Sequence, residues 1–308
     1  MITINDTIKE EVINFYNKER VKDTHKGDYG RVYIIAGSKG MTGAAALCSM
    51  AALRSGCGLS YIVTKVASMP VYETLVPEAV KICVTSDKSN DYFTVEDVDT
   101  IFDNIKNPAC IVIGPGLGNN IKTKQFVRRF LKRYNISGLN NIPIIIDADA
   151  INSFADRLGL LADCVNENCV ITPHCMEASV LSGQSLDYIC ENREAFVADL
   201  VKKLGCTVVL KGNKTLIGCP GKQNDVVIYR NTSGNPGMAT GGSGDVLAGI
   251  ISGFIATDSK IDGVFNCARY GVYVHGMCGD IAMEKYGQRF ITATCLIDQL
   301  GEIHRRGY

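Results

Sequence analysis

The chain has no net charge to offer a polyanion: 32 lysines and arginines balance 32 aspartates and glutamates over 308 residues. Its longest basic cluster, Arg128-Arg129 with Lys132-Arg133, reads as a solvated helix surface, so the footprint of a nucleic-acid-binding protein is missing. Apolar runs fall far short of the ~20 residues that cross a bilayer, which argues against any membrane partner. The start, Met1-Ile-Thr-Ile-Asn-Asp6, lacks the basic flank and apolar core of a secretory leader. Cysteine is plentiful, at 13, yet no two share the C-x-x-C spacing of a zinc or redox site, and their number is odd. Cys48, Cys83, Cys110, Cys206 and Cys267 sit inside apolar segments, as buried thiols of a reducing cytoplasm would. Linkers and internal repeats are absent too. The expectation is a cytoplasmic protein with one domain over 27–308 and an N-terminal helical extension over 1–26.

Two familiar nucleotide motifs are also lacking. No G-x-x-x-x-G-K-S/T loop occurs, because Lys214-Thr215 has no glycine before it. Gly114-Pro-Gly-Leu-Gly118 contains Pro115 and has no acid about twenty residues on, which speaks against a dinucleotide fingerprint.

What the chain does contain is an alternation of short apolar strands with helices. Strands are expected at 32–36, 59–64, 110–114, 143–149, 170–173 and 206–210, with helices over 43–56, 121–134 and 188–204. Near-continuous apolar strands indicate a parallel sheet covered on both faces, hence an α/β fold. Residues 215–218 and 226–229 read as an antiparallel edge hairpin, and everything from Gly244 on as helical. The N-terminal stretch carries a weak helical pattern in Ile8, Val12, Ile13, Phe15 and Tyr16, suited to lying on the body or on a neighbouring subunit. Gly37-Ser38, Gly114 to Gly118, Asp147, Asp149, Thr172-Pro-His174 and Lys211-Gly212 all fall at carboxyl ends of strands, where α/β sheets bind ligands.

The richest segment is Asn235-Pro-Gly-Met-Ala-Thr-Gly-Gly-Ser-Gly-Asp245, which runs into the apolar Val246 to Ala256. It places a glycine loop and one carboxylate at a helix N-terminus, where backbone N–H groups lack internal partners and attract anions. Asp245 could simply cap that helix. Alternatively, the loop holds a phosphoryl group in transit while Asp245 takes a proton from the attacking hydroxyl.

Taken in order, His25-Lys-Gly-Asp-Tyr-Gly-Arg-Val32, Gly43-Ala-Ala, Gly114 to Gly118, Asp147-Ala-Asp-Ala-Ile-Asn152, Thr172-Pro-His174 with Glu177, Leu210-Lys-Gly212 and Gly234 to Gly249 form one set. This ordered set resembles the ADP/ATP-dependent NAD(P)H-hydrate dehydratase family of the ribokinase-like superfamily, over about residues 25–305. The resemblance implies a three-layer α/β/α sandwich with a mostly parallel sheet. It implies a repair reaction in which the C6 hydroxyl of hydrated NADH or NADPH is phosphorylated from ADP, or ATP, and phosphate is then eliminated. A stand-alone chain of this kind favours ADP.

By the same resemblance Asp245 is the base, and the amides of Gly242, Ser243 and Gly244 form an anion hole. Ala44, Gly118, His174 and Asp245 meet the hydrated nicotinamide nucleotide. Lys211, Gly212, Asn213, Lys214, Thr215 and Gly244 meet the adenine nucleotide. Glu177 holds water around Mg²⁺, the family is homo-oligomeric, and a tetramer is expected. Each residue also has a plainer role open to it: Lys211 to Thr215 as a strand end and hairpin turn, Ala44 as packing, Gly118 as a loop closure, His174 as a cap, Glu177 as a favourable first-turn acid. Asp147 and Asp149 fit either the nicotinamide ribose or the metal. His275 and His304 are assigned to the helix core and the tail. One departure stands out: the family shows Pro-Gly where this chain has Cys175-Met176, which bears on where Glu177 sits. A small-molecule kinase of the same superfamily, acting on a hydroxymethylpyrimidine, a thiazole alcohol or a sugar, would share the loop and its aspartate.

Overall fold

The computed structural model describes residues 2–4, 8–84 and 91–306. The parts of the expected spans 1–26 and 27–308 that fall at 1, 5–7, 85–90 and 307–308 lie outside the described residues. Among the described residues ten strands form one sheet: β1 (Ile2–Ile4), β2 (Arg31–Ile35), β3 (Leu59–Lys65), β4 (Val80–Val84), β5 (Cys110–Ile113), β6 (Ile144–Ile146), β7 (Cys169–Ile171), β8 (Thr207–Leu210), β9 (Leu216–Pro220) and β10 (Val226–Arg230). The helices are α1 (Ile8–Tyr16), α2 (Thr42–Arg54), α3 (Met69–Leu75), α4 (Asp97–Asn104), α5 (Ile121–Ile136), α6 (Asp149–Asn152), α7 (Leu158–Ala162), α8 (Cys175–Ser182), α9 (Leu186–Glu191), α10 (Arg193–Leu204), α11 (Ser243–Tyr286) and α12 (Ala293–Arg305).

The strand order is β1-β10-β9-β8-β7-β6-β5-β2-β3-β4. Among the described strands only β9 runs against the rest, because it pairs antiparallel with both β8 and β10 while every other pairing is parallel. Apolar side chains of alternate parity enter two separate cores. Val32, Ile34, Val112 and Ile145 join the core built with α1, α2, α11 and α12. Tyr33, Ile35, Ile113 and Ile146 join the one built with α4, α5, α8 and α10. That two-sided burial is why the strands read as unbroken apolar runs, and it makes the three layers.

Chain order builds β2, β3 and β4 outward on one side, then returns to lay β5, β6, β7 and β8 on the other. The reversal falls between β2 and β5, the kind of switch point at which open α/β sheets bind ligands. The loops beyond the two strands are stitched there: Gly37 N–H donates to Pro115 O at 2.8 Å, and the Ser38 hydroxyl to Gly116 O at 2.9 Å.

Some elements differ from the expectation. The β9–β10 hairpin is antiparallel as expected, but it is not the outermost piece, since β1 pairs parallel with β10. Three residues are too few to register as a strand pattern in a polar stretch. The helix expected over 188–204 is two, because the Asn192 backbone leaves the helical region, at φ −121° and ψ 36°, with its side chain donating to Tyr188 O at 3.0 Å. The edge strand β4 and the short α3 and α4 escaped the reading, since an edge strand such as Val80-Lys-Ile-Cys-Val84 lacks a continuous apolar run. The long α11 breaks at Gly263, where φ is 79° and ψ 160°. Helix α1 spends its apolar face on its own chain, Phe15 meeting Phe254 at 4.7 Å between ring centroids. All 13 cysteines are free and eight are buried.

Helices α2 and α11 meet through small residues. A methyl group placed on Gly249 would lie 2.3 Å from Cys48 O and 2.6 Å from Ala51 Cβ. Gly249→Ala therefore forces the helices apart, and we expect a loss of about 1–3 kcal/mol, read as a lower thermal midpoint. An unchanged midpoint would contradict this packing.

Candidate active site

The site starts from an unfinished helix end. Gly242 precedes α11 with φ 86°, a left-handed conformation costly for residues with a Cβ, and no side chain caps the helix. The Val246 amide is the first to bond back, to Gly242 O at 3.0 Å, and the Ser243 amide reaches Thr240 O at 3.3 Å. The amides of Gly244 and Asp245, at the second and third helical positions, have no partner within the helix. They offer two donors and the positive end of the helix dipole to an anion.

Asp245 stands half-buried beside them. Burial lifts its carboxyl pKa, the charge of Asp147 lifts it further, Lys211 pulls it down, and Asp149 and Glu177 add upward pushes; the result is about 7. A carboxylate with that value is matched to accepting a proton near neutral pH.

The carboxyl ends of β6, β7 and β8 supply the surrounding charges. Asp147, only 1% exposed, accepts from the Thr172 hydroxyl at 2.7 Å and from Lys211 Nζ at 2.8 Å, both on Oδ1. Its buried Oδ2 has no hydrogen-bond partner among the described residues. Burial alone would lower the Lys211 pKa, but Asp147 and Glu177 outweigh it and hold the ammonium above the usual range. Between the two acids, Ala148 adopts φ 47°, a strained conformation for a residue with a side chain. The following acid, Asp149, accepts the Gly118 amide at 2.8 Å, so it braces the loop after β5. By sequence both acids fit the ribose or the metal; the bonds give Asp149 a bracing role and leave Asp147 with an oxygen to spare.

His174 and Glu177 form a reciprocal cap at the start of α8. The Glu177 amide donates to His174 Nδ1 at 3.1 Å, and the His174 amide donates to Glu177 Oε2 at 2.8 Å. An acceptor Nδ1 places the neutral ring's proton on Nε2, which lies 3.4 Å from Glu177 Oε1. The box forms with Cys175-Met176 in the turn, so the departure from Pro-Gly leaves Glu177 turned inward, its Oε2 3.6 Å from Lys211 Nζ.

A cavity of about 420 Å³ opens between the turn after β8 and the start of α11. Lys211, Gly212, Asn213, Lys214 and Thr215 line one wall, Ser243 and Gly244 the other. Arg193 of α10 secures the turn by donating to Leu210 O at 3.2 Å and to Asn213 O. Ala44 and Gly118 lie elsewhere, at the β2/β5 switch point. A methyl group on Gly116 would sit 2.8 Å from Ala44 Cβ, and one on Gly118 3.6 Å from Ser38 Oγ. Asp245, through its electrostatic coupling to Asp147, Asp149 and Lys211, connects the two regions.

Three residues near the cavity carried no recognisable signal in the sequence. His275, set aside as helix core, lies with Nε2 3.3 Å from Ser243 Oγ and lines the cavity. Asp280 accepts from the Gly234 amide at 2.8 Å and the Asn235 side chain at 3.0 Å, tethering the approach to the glycine loop. Arg193 is the third. All three lie on helices, and only the tertiary packing turns them toward the loops.

Among the described residues no group of three or more His, Cys, Asp or Glu side chains is arranged to hold a metal ion. Mg²⁺ commonly arrives on nucleotide phosphates and takes only one or two carboxylates from the protein. The partnerless Oδ2 of Asp147, a hard oxygen beside Lys211, fits that demand. No helix among the described residues is long and apolar enough to cross a membrane.

Sheet, layers and strand-end cleft define a ribokinase-like fold. A solved ribokinase-like protein of Enterococcus faecalis superposes with a TM-score of 0.79 at 28% identity, covering 100% of this chain and 96% of that one. A hydroxyethylthiazole kinase of Pyrococcus horikoshii, at 15% identity and a TM-score of 0.59, shares the fold alone. The sequence model described as NAD(P)H-hydrate dehydratase matches residues 32–302, and the chain belongs to that family. An ADP-dependent (S)-NAD(P)H-hydrate dehydratase of Neisseria meningitidis is 33% identical over 88% of this chain and 83% of its own length. The ADP/ATP-dependent NAD(P)H-hydrate dehydratase of Bacillus subtilis, co-crystallised with ATP and Mg²⁺, matches with a TM-score of 0.76 and 28% identity, over 97% of each chain. A bifunctional NAD(P)H-hydrate repair enzyme of Thermofilum pendens is 36% identical over 91% of this chain but 51% of its own; the chain spans about half the length of several such curated relatives.

The raised Asp245 pKa has a cost in stability. Its folded value, about 7, lies above the 3.8 of an ordinary aspartate, so unfolding is favoured as pH rises between the two. Asp245→Asn removes that penalty: its stability advantage is small near pH 4, grows to about pH 7 and levels off above. Thermal unfolding across that range checks the trend, and a variant less stable than the parent at pH 8 would contradict it. Lys211→Met takes away a cation that pulls the Asp245 pKa down, so the acid limb of kcat/KM should move to higher pH; a limb that stays in place, or moves lower, would contradict this electrostatic balance.

Proposed function

We propose that the protein is an ADP-dependent NAD(P)H-hydrate dehydratase that restores NADH and NADPH from their C6-hydroxylated forms, releasing AMP and phosphate. The observation that carries this reading is the pairing of two unpartnered amides at the α11 N-terminus with an aspartate whose pKa is lifted to about 7. Residues 27–308 act as one catalytic domain, with 1–26 as an extension laid against it.

In this reading ADP occupies the cavity between Lys211 to Thr215 and Gly244. The hydrated nicotinamide approaches from the β2/β5 switch point past Ala44, Gly118 and His174. Asp245 takes the proton of the C6 hydroxyl as that oxygen attacks the terminal phosphorus of ADP, and the bond from that phosphorus to AMP breaks. In the Gly242-Ser243-Gly244 turn the Ser243 amide is taken by Thr240 O, so the open amides of Gly244 and Asp245 hold the charge on the moving phosphoryl group, an arrangement that is effective because it needs no rearrangement during the reaction. Lys211 neutralises phosphate charge from the opposite wall. The phosphate then leaves C6 and a ring proton departs, restoring the double bond. A bound magnesium ion would neutralise nucleotide phosphates, and the oxygens suited to hold it belong to Asp147 and, through water, Glu177.

The names of the similar dehydratases support ADP as the donor. The protein works in the cytoplasm, which the free cysteines support. A homotetramer is the proposed assembly. Since α1 is used internally, the exposed apolar group Val66, Val71, Leu75 and Val80 around the edge strand β4 is the surface that favours self-association.

Incubation with hydrated NADH and ADP should bring back absorbance at the reduced-nicotinamide band. Asp245→Asn should lower kcat by about 10²–10⁴-fold, the scale of a lost general base, with ADP affinity nearly intact. No return of absorbance with ADP or ATP, alongside phosphorylation of a small alcohol, would give the site to a kinase instead. A near-normal rate in the variant would remove Asp245 as the base.

A further inference from the structure

The C-terminal half of α11 returns past the glycine loop that begins the same helix, and one of its side chains touches that loop. His275 is buried, at 9% exposure, and its Nε2 lies 3.3 Å from the Ser243 hydroxyl. Both residues line the nucleotide cavity, together with Val272, Gly276 and Leu247.

The position of Ser243 makes this contact matter. A serine in the first turn of a helix can fold its hydroxyl onto nearby backbone groups and compete for them. Here such a bond would engage the donors that the uncapped end leaves open. The hydroxyl instead points to the imidazole. We infer that His275 is a positioning residue of the phosphoryl-binding loop: it holds the Ser243 side chain off the α11 N-terminus, so that the amides of Gly244 and Asp245 stay available to the transferring group.

Burial is the largest influence on His275 and pushes its pKa down; a backbone contact with Ser243 pulls it up and Lys211 pushes it down again, leaving about 4. The ring is therefore uncharged at neutral pH and acts through a hydrogen bond rather than through charge. It neither accepts the substrate proton nor neutralises phosphate. This role rests on the phosphoryl-transfer reading above and adds a residue to it.

The test uses the full chain and four proteins: His275→Ala, His275→Gln, Ser243→Ala and the double variant His275→Ala with Ser243→Ala. Each is compared with the parent for kcat, KM for ADP and thermal midpoint, using hydrated NADH as acceptor. His275→Ala should lower kcat at least tenfold while changing KM for ADP by less than about threefold, the split expected when only transition-state contacts weaken. His275→Gln, whose amide can still bond the hydroxyl, should recover most of the loss. The double variant should be no slower than Ser243→Ala alone, since removing the hydroxyl removes what His275 controls. Unchanged kcat in His275→Ala, a loss confined to KM that glutamine does not rescue, or additive losses in the double variant would each overturn the inference.

If His275→Ala does not fold, His275→Gln and Ser243→Ala still decide it, because glutamine must then retain more than a tenth of the parent kcat. If the parent itself shows no dehydration, the functional reading fails, yet the positioning claim remains readable. Inorganic phosphate titrated into the ¹⁵N-labelled parent should shift the Gly244 and Asp245 amide resonances, and in His275→Gln about as strongly. Equal shifts in parent and His275→Ala would then reject it.

Discussion

The N-terminus of α11 is left open, and the rest of the site depends on that. A helix start normally satisfies its first amides with a side-chain cap. Here the capping position is Gly242, which has no side chain, and its left-handed backbone turns the loop away from the helix axis. The helix thus carries unspent hydrogen-bond capacity at a place where an anion can use it. A residue with a Cβ at 242 would meet Leu47 Cδ1 at 2.5 Å, so packing and conformation favour the same choice.

The negative charge gathered around that end needs explaining, because carboxylates repel the anion the amides would hold. Asp147, Asp149 and Glu177 all raise the Asp245 pKa, and Lys211 is the counterweight. Two of the acids are already committed: Asp149 to the Gly118 amide, Glu177 to the cap of α8. Asp147 is bound on one oxygen only. This is a site balanced to keep one carboxyl close to its midpoint at neutral pH, at the expense of stability, as is common where a buried group must exchange a proton.

Much of this was legible before any coordinates. The unbroken apolar strands revealed a sheet covered on both sides, and the clustering of unusual residues at strand ends located the cleft. The Gly242 to Asp245 segment could be read as a glycine-rich helix start because glycine density next to such a start is a local feature. The ordered motifs identified the family. What could not be read was non-local or short. Three residues of β1 leave no pattern, and a single residue, Asn192, breaks a helix by leaving the helical backbone region. The helical positions of His275, Asp280 and Arg193 are ordinary until the fold turns them toward a loop. The split of roles between Asp147 and Asp149 likewise depends on the strained backbone of Ala148, which spacing alone does not disclose.

The most direct test of the account is the titration of the Asp245 carboxyl itself. Carbon-13 resonances of the aspartate side chains, followed with pH in the ligand-free protein and assigned by comparison with Asp245→Asn, would report it. The account predicts a midpoint near 7. A midpoint near 4 would mean that the carboxyl is solvated and unstrained, and the proposed balance of charges at the helix end would be wrong.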